Sequence, residues 1–305
     1  MKTVGWLGIT VCLLMVAPGS GAGADGVILP AAVEVLQGEL VEVRVAGGDL
    51  DAAQGRLDNE KIYFHAEGNG GFSAIVGADV QAKPGEKRFV LQLTHRGGAR
   101  SERDIPLKIR AKKFRTESFK VAPGFDHMTP EALDAIREER EAFARAFAAS
   151  VPGRLWEAPF LRPVPHPASP TFGARRIING IPRAPHSGTD LSSPAGTEVL
   201  ASNHGRVVLV GHFFFAGGSV VLDHGAGLLT MYFHLSELRV EEGARVKKGD
   251  VVALSGATGR VTGAHLHWGA RLANARIDPL ELLSKVSAGS DSMREAQSLN
   301  RRTEK

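Results

Sequence analysis

The sequence predicts a mainly β protein with an N-terminal β-sandwich, a helical and proline-rich linker and a C-terminal antiparallel β domain. Short β-rich runs, punctuated by Gly, Asp and Asn, fill residues 25–115 and return over 172–284. Between them, residues 129–150 contain the one clear helical periodicity. The chain has 305 residues, of which 43% are hydrophobic, so it is long enough and apolar enough for two packed cores.

The first 24 residues have the organisation of a secretory signal. Met1 and Lys2 precede an apolar run over residues 4–17, which the small residues Ala22-Gly23-Ala24 follow. We therefore expect cleavage after about Ala24 and an exported protein, located in the periplasm or cell envelope. The run is shorter than the roughly 20 apolar residues of a membrane span, so we expect no stable membrane insertion after cleavage. An uncleaved anchor is the alternative.

Cysteine usage and charge restrict the chemistry. Cys12 is the only cysteine and lies in the predicted signal, so the mature chain would have no disulfide, cysteine-ligated zinc or cysteine nucleophile. The net charge of +4 and the pI near 9.3 favour acidic surroundings such as anionic cell-envelope polymers. We expect no nucleic-acid partner.

Residues 25–115 are predicted to form a small β-sandwich of six or seven strands. Turn residues separate short runs with β propensity, and strands of this length and spacing are typical of sandwiches. The runs are LVEVRV, KIYFHA, FSAIVG, RFVLQLTH and PLKIRAKKF.

Residues 116–171 are predicted to be a linker containing one helix. Thr129 suits the N-cap position and Pro130 the first helical position. The expected apolar stripe of this helix, predicted to pack between the domains, is Leu133, Ile136, Phe143 and Phe147. The proline-rich stretch VPGRLWEAPFLRPVPHPASP cannot join a central sheet and indicates a linker or a wrapped arm.

Residues 172–284 are predicted to form a second all-β domain, and residues 285–305 a disordered tail. Glycine-rich turns separate the apolar runs of the domain, whereas the tail is rich in Ser, Arg and Glu and lacks apolar periodicity. The runs are TEVLAS, GRVVLVGHFFF, SVVLDHG, LLTMYFHL, DVVALSG and AHLHWGARL.

Histidines cluster in this second domain. In GAHLHWG, residues 263–269, His265 and His267 would project from the same face of an extended strand, because side chains alternate with a period of two. Upstream, RAPHSGTD places His186 and Asp190 on either side of a glycine-containing turn. One member of the 265/267 pair would complete a set of two imidazoles and one carboxylate, which leaves zinc a fourth position for water.

Spacing alone leaves two questions open. It does not decide whether His265 or His267 binds the metal. His234, in MYFHLS, can reach the site only if its strand lies beside the one that carries HLH. For each histidine taken singly, an ordinary surface or core position is the competing interpretation.

The domain resembles the lysostaphin-type zinc metallopeptidases, which cut peptide bonds in bacterial peptidoglycan. The resemblance covers residues 172–280 and runs in order through FGARRIINGIPRAPHSGTDLSSPAGTEVLAS, GRVVLVG, VVLDHGAGLLTMYFHLSEL, VKKGDVVALSGATGRVTGAHLHWGARL and DP. It implies one Zn²⁺ per chain, with His186, Asp190 and His267 as ligands. It also implies that His234 and His265 are the catalytic histidines. The N-terminal region is similar to the accessory region of some family members.

The resemblance therefore implies a zinc-dependent endopeptidase that hydrolyses peptide bonds in peptidoglycan stem or cross-bridge peptides. No H-E-x-x-H helix occurs, so a histidine pair rather than a helical glutamate is expected to handle the protons. One alternative is a non-catalytic or autoinhibited regulator of other cell-wall hydrolases, in which the N-terminal arm covers the metal and envelope proteins are the partners. Another is a secreted peptidase that acts on proteins.

Overall fold

The computed structural model describes residues 26–47, 49–68, 70–121 and 128–286. The predicted signal with Cys12, and residues 287–305 of the predicted tail, lie outside the described residues. Within the described part of the chain, no helix is both long and apolar enough to span a membrane. The protein is mainly β, as predicted, and its strands form an N-terminal and a C-terminal unit.

The N-terminal unit is a sandwich of a five-stranded sheet, ordered β1-β8-β7-β3-β4, and a three-stranded sheet, ordered β2-β6-β5. Alternate residues of both sheets fill one core, for example Leu107 of β8 and Val43 of β2. The strands are β1 (Val33–Leu36), β2 (Leu40–Val45), β3 (Leu50–Leu57), β4 (Glu60–Tyr63), β5 (His65–Ala66), β6 (Phe72–Gly77), β7 (Gly85–His95) and β8 (Arg100–Arg110).

These eight strands exceed the six or seven predicted, for two physical reasons. The run KIYFHA is not one strand: it breaks at Phe64, which packs against the core, and β4 and β5 join different sheets. Strand β3 has the sequence LDAAQGRL, which lacks β-branched residues and was not predicted. Its Gly55 lies against the ring of Phe89, where a Cβ would come within 2.7 Å, so tertiary packing dictates the strand.

Helix α1 (Pro130–Ala148) confirms the predicted helix and its cap, because Thr129 Oγ1 accepts a hydrogen bond from the Ala132 N–H. The helix packs on the C-terminal sheet rather than between the units, through Phe143, Ala146 and their neighbours. The prediction that Leu133 is buried is wrong, since its side chain is 55% exposed. At 100° per residue, Leu133 lies about 140° around the helix from Ala146.

The C-terminal unit is a nine-stranded sheet whose main path is β12-β19-β16-β15-β14-β17. One face carries the main core, including Trp268 and Tyr232, and the other face receives α1. The strands are β12 (Gly188–Leu191), β13 (Glu198–Leu200), β14 (Gly205–Phe213), β15 (Gly217–Asp223), β16 (Leu228–Leu238), β17 (Arg245–Val246), β18 (Val251–Ser255), β19 (Leu266–Leu272) and β20 (Ala275–Ile277).

The predicted linker and tail are partly built into the fold. Strand β9 (Thr116–Phe119) pairs in parallel with β10 (Arg175–Ile178), which forms a hairpin with β11 (Ile181–Pro182). Helix α2 (Leu280–Lys285) and the buried Val286 contain the first two residues of the predicted tail. These two tail residues make too few apolar contacts to produce a periodicity in the sequence.

The two units share an interface. The carboxylate of Asp79 accepts two hydrogen bonds from the Arg276 guanidinium, at 2.7 and 2.8 Å. An apolar cluster beside this ion pair joins both units: Leu40, Ile75, Trp156, Phe160, Leu228, Ile277, Leu282 and Val286. Apolar burial of this kind fixes the orientation of the sandwich on the side of the sheet opposite α1.

Candidate metal centre

Three predicted site residues meet at the end of the sheet that β12 and β19 form. Asp190 and His267 are directly paired residues of these adjacent strands, and His186 lies two residues before β12. Asp190 Oδ1 is 2.9 Å from His267 Nδ1 and 3.2 Å from His186 Nε2. The two ring nitrogens are 2.9 Å apart. The structure therefore brings the three residues to one point although up to 81 positions separate them in sequence.

The proline-rich arm, here residues 151–171, fixes the orientation of His186. The Nδ1–H of His186 donates to the Thr171 carbonyl oxygen at 3.2 Å, and a carbonyl can only accept a hydrogen bond. Nε2 of the neutral ring consequently bears the lone pair, and it faces Asp190 and His267. The arm also holds β12, because the Ser169 N–H donates to the Asp190 carbonyl oxygen at 2.8 Å.

The geometry and chemistry of these three atoms fit a tetrahedral zinc ion. Ligand atoms at 2.0–2.2 Å from zinc in a tetrahedron lie about 3.3–3.5 Å from one another. The observed separations of 2.9, 2.9 and 3.2 Å come within a few tenths of an ångström of that spacing. A lone pair of His186 and a carboxylate oxygen converge here without an arginine or lysine partner among the described contacts. A cation would satisfy both.

His267 is held by close packing on both sides of its ring. On one side lies Gly188, where a Cβ would approach the ring and would stand 2.7 Å from the Trp268 carbonyl oxygen. On the other side, the ring of Phe233 is parallel to the imidazole with the centroids 5.5 Å apart. Phe233 and His267 are paired residues of β16 and β19. The sheet register thus sets the position of the His267 ring.

The two other predicted residues, His234 and His265, flank the cluster. Strand β16 does lie beside β19, so the condition for His234 to reach the site is met. The ring centroids of His234 and His265 are 4.9 Å apart, and His265 Nε2 is 3.7 Å from Asp190 Oδ1. Leu266, between the two HLH histidines, is fully buried in the main core, as strand alternation predicted.

A break in strand alternation turns His234 toward the site. Phe233 already faces the site, so a regular strand would direct His234 into the core. The pairing of β15 with β16 shifts register between Gly218 and Val220, and His234 has φ +65°. This left-handed conformation is uncommon for a residue other than glycine and needs support from its surroundings.

Thr258 provides part of that support. Its carbonyl oxygen accepts the His234 Nδ1–H at 3.0 Å. Its hydroxyl accepts the Gly218 N–H at 2.8 Å and donates to the Leu235 carbonyl oxygen at 2.7 Å, so it bridges both strands at the register shift. His265 is oriented similarly, because its Nδ1–H donates to the Gly263 carbonyl oxygen at 2.9 Å. Both histidines therefore present Nε2 toward the cluster.

The electrostatics of the cluster keep Asp190 ionised and His234 neutral at neutral pH. Burial opposes ionisation of Asp190, but the neighbouring His186 and His267 imidazoles hold the pKa of the carboxyl below its usual range. Burial, and then the nearby His267 and His265, lower the pKa of His234 to about 4. Asp190 and His265 keep 24% and 23% of their side-chain surfaces exposed, so the centre is open to solvent.

Sequence reasoning missed the residues that position the cluster. Thr171, and Thr258 in its contact with His234, act through backbone carbonyls, which carry no residue-type signal, and Phe233 has the pattern of an ordinary core residue. Gly188 lies in the motif that the sequence singled out, but its close approach to His267 depends on strand pairing. The signal that could have pointed to Thr258 is its place in the glycine-rich run SGATGRVTG.

The fold and the cluster define an antiparallel β protein with a candidate His₂Asp metal centre. Residues 184–279, which contain all five predicted site residues, match peptidase family M23. This segment, about a third of the chain, is therefore similar to the M23 peptidases.

Two relatives that are similar to part of this chain are named as endopeptidases. The peptidoglycan DD-endopeptidase ShyA of Vibrio cholerae is 46% identical over 101 residues, which are 33% of this chain and 24% of ShyA. The DD-carboxypeptidase/endopeptidase Mpg of Neisseria meningitidis is 38% identical over 97 residues, 32% of this chain and 22% of Mpg. The chain therefore spans about a quarter of the length of these curated relatives.

One solved structure resembles most of the chain. It is a putative peptidase M23 from Pseudomonas aeruginosa, 29% identical, with a TM-score of 0.66. The alignment covers 82% of this chain and 95% of that one. The likeness therefore extends beyond the M23 segment into the N-terminal region.

Proposed function

We propose that the protein is an exported zinc metalloendopeptidase that hydrolyses peptide bonds in peptidoglycan. The observation that carries the proposal is the convergence of His186, Asp190 and His267 at one solvent-accessible point of an M23 domain. The names of the relatives point to D,D-cross-links as the first bonds to test. An envelope location follows from such a substrate and agrees with the predicted signal.

In this proposal, His186 Nε2, Asp190 Oδ1 and His267 Nδ1 hold one zinc ion per chain. The ion would act as a Lewis acid toward the scissile carbonyl and would lower the pKa of a water molecule toward about 7. The chain supplies a fixed ligand geometry, because strand pairing and the Thr171 carbonyl orient the three donors before any metal binds.

His234 and His265 would move the protons of the reaction. Each ring has its Nδ1–H committed to a backbone carbonyl, so each Nε2 is free to accept a proton from the attacking water. The ring that has gained this proton can then donate it to the leaving amine. While protonated, the same Nε2–H can stabilise the negative charge on the carbonyl oxygen.

The test is digestion of purified sacculi by the metal-loaded protein. We expect soluble muropeptides with new free amino groups and no new reducing sugar ends, because a peptidase breaks amide bonds only. Chelation should stop the release and one equivalent of zinc should restore it. The control is the matched Asp190→Asn variant, which keeps the shape of the side chain and loses its charge.

Intact sacculi and intact cross-linked muropeptides in the presence of zinc-loaded protein would reject this function. New reducing ends would identify a glycan hydrolase instead. Activity that persists in Asp190→Asn would place the chemistry away from the cluster.

A further inference from the structure

Helix α1 lies outside the segment that matches the family, yet it packs on the face of the sheet that carries the metal centre. Phe143 of α1 meets Phe233 edge to face, with ring centroids 5.3 Å apart, and Phe233 in turn lies parallel to His267. The helix therefore contacts the side chain that supports a proposed ligand.

A half-buried carboxylate of α1 also holds a turn beside the centre. Glu139 Oε2 accepts the Phe215 N–H at 2.8 Å. Burial raises the pKa of this carboxyl, whereas the nearby backbone N–H groups of Phe215, Ala216 and Phe214 favour its ionised form. A hydrogen bond from a backbone N–H to a carboxylate is charge-assisted, and we call this contact the clamp. Since this turn joins β14 to β15, Glu139 fixes the start of β15.

The clamped turn leads directly to His234. The Ala216 carbonyl oxygen accepts the His234 N–H at 2.9 Å, and this bond lies beside the register shift that turns the imidazole toward the metal centre. The left-handed conformation of His234 persists only if its neighbours hold it. The Ala216 carbonyl is one such neighbour, and Glu139 fixes its position through the turn.

We propose that Glu139 is a positioning residue for His234 and that α1 is a fixed part of the catalytic centre, an inference that rests on the proposed peptidase function. The helix is anchored at its far end as well. Buried Asp223 accepts the Ser150 hydroxyl at 2.6 Å and the Val151 N–H at 3.0 Å. Asp190 and His265 stay partly exposed, so the helix leaves the metal cluster open.

The test compares four full-length proteins: wild type, Glu139→Ala, Glu139→Gln and Glu138→Ala. Glu138 is an exposed neighbour on the same helix and is the matched control. Hydrogen exchange of the amides in residues 213–217 measures the clamp without reference to activity. Metal content, kcat and KM are measured on a soluble cross-linked muropeptide.

We expect Glu139→Ala to speed exchange in the turn at least about tenfold and to lower kcat by about 10- to 100-fold, the effect of displacing a reacting group by about 1 Å. KM should stay within about twofold and metal content should be unchanged, because the ligands are intact. The Gln variant should recover most of both losses, since an amide oxygen still accepts the Phe215 N–H. Glu138→Ala should behave as wild type.

Wild-type kcat in Glu139→Ala would overturn the inference, and a higher kcat would identify α1 as a restraint. Equal losses in the Ala and Gln variants together with loss of metal would mean a purely structural role. If Glu139→Ala does not fold, Glu139→Asp replaces it, because the shorter side chain keeps the charge and cannot span the same distance. A wild type inert on sacculi and muropeptide rejects the proposed function, whereas an active wild type with unchanged variants rejects this inference alone.

Discussion

The two β units use similar strands but differ in what they bury. In the N-terminal sandwich, polar and apolar residues alternate regularly, as in β8, where Ile105, Leu107 and Ile109 face the core. Among the described residues, it buries few polar side chains: Glu39, Ser73 and His95. The C-terminal unit buries many more: His186, Thr189, Ser193, Ser202, Asn203, Ser219, Asp223, His224, Thr230, Ser255 and His267.

Strand pairing is also more irregular in the C-terminal unit than in the sandwich. The described pairs of the sandwich contain one register shift, between Leu50 and Ala52, whereas four pairs of the C-terminal sheet contain one each. The shift beside His234 adds a site residue to a face that regular alternation would leave without it. Buried polar groups and irregular pairing cost stability, so their concentration in one unit indicates where the fold serves chemistry.

The sharpest contrast comes from the same substitution in both units. Asp190→Ala should lower peptidase activity by on the order of 10³-fold or more, because it removes the anionic ligand. Asp104→Ala, at an exposed strand position paired with Arg88, should change it less than about twofold, since surface ion pairs contribute little. Muropeptide release from sacculi measures both. Comparable losses in the two variants would erase the distinction between the units.

Two glycines provide the second contrast. Gly188→Ala should weaken metal affinity by about 10- to 100-fold, because the new Cβ would push against the His267 ring and the Trp268 carbonyl. Gly68→Ala, in an exposed turn of the sandwich with open space around it, should leave affinity unchanged. Competition with a chromogenic chelator measures both. Wild-type affinity in Gly188→Ala would mean that the His267 ring is not held by this contact.

A third comparison uses threonines. Thr258→Val should lower kcat about tenfold, because the register shift beside His234 loses both hydroxyl hydrogen bonds. Thr258→Ser should restore most of the rate, and Thr94→Val in the sandwich should have no effect. Steady-state kinetics on a soluble muropeptide tests this series. A serine variant as slow as the valine variant would exclude the hydroxyl as the cause.

The smallest predicted effect concerns pH and the buried His224. Its Nδ1–H donates to the His204 carbonyl, its Nε2 contacts Thr230, and burial lowers its pKa to about 4. Between about pH 6.5 and 4 the unfolded chain binds the extra proton, so acidification destabilises the fold. The unfolding free energy should be about 1 kcal/mol lower at about pH 5.5 than at pH 6.5 from this group alone.

Denaturant unfolding of two variants isolates this contribution. His224→Gln should lose part of the pH dependence, whereas His212→Gln, at an exposed position, should keep it. An unchanged pH dependence in His224→Gln would show that the group titrates alike in both states.

The sequence allowed prediction of what local periodicity and residue type encode. Periodicity predicted the helix and most strands of both units, and residue type predicted the helix cap. The five site residues could be picked out because HLH and HSGTD place rare residue types at strand and turn spacings. The choice between His265 and His267 came from a family resemblance, since both rings face Asp190.

The rest depends on contacts between distant segments. Strand β3 is specified by the Phe89 ring against Gly55, and β9 pairs with residues nearly 60 positions away. The conformation of His234 arises from a register shift, the Thr258 hydroxyl and the Ala216 carbonyl, none of which leaves a periodic signal. Such features follow from tertiary packing, which overrides local propensity.

Metal analysis of the wild type, His267→Ala and His212→Ala tests the central claim most directly. After equilibration with zinc and removal of the excess, the wild type and His212→Ala should each retain one zinc per chain, and His267→Ala close to none. A wild type without zinc, or a His267→Ala protein that retains one equivalent, would contradict the assignment of the cluster as the metal centre.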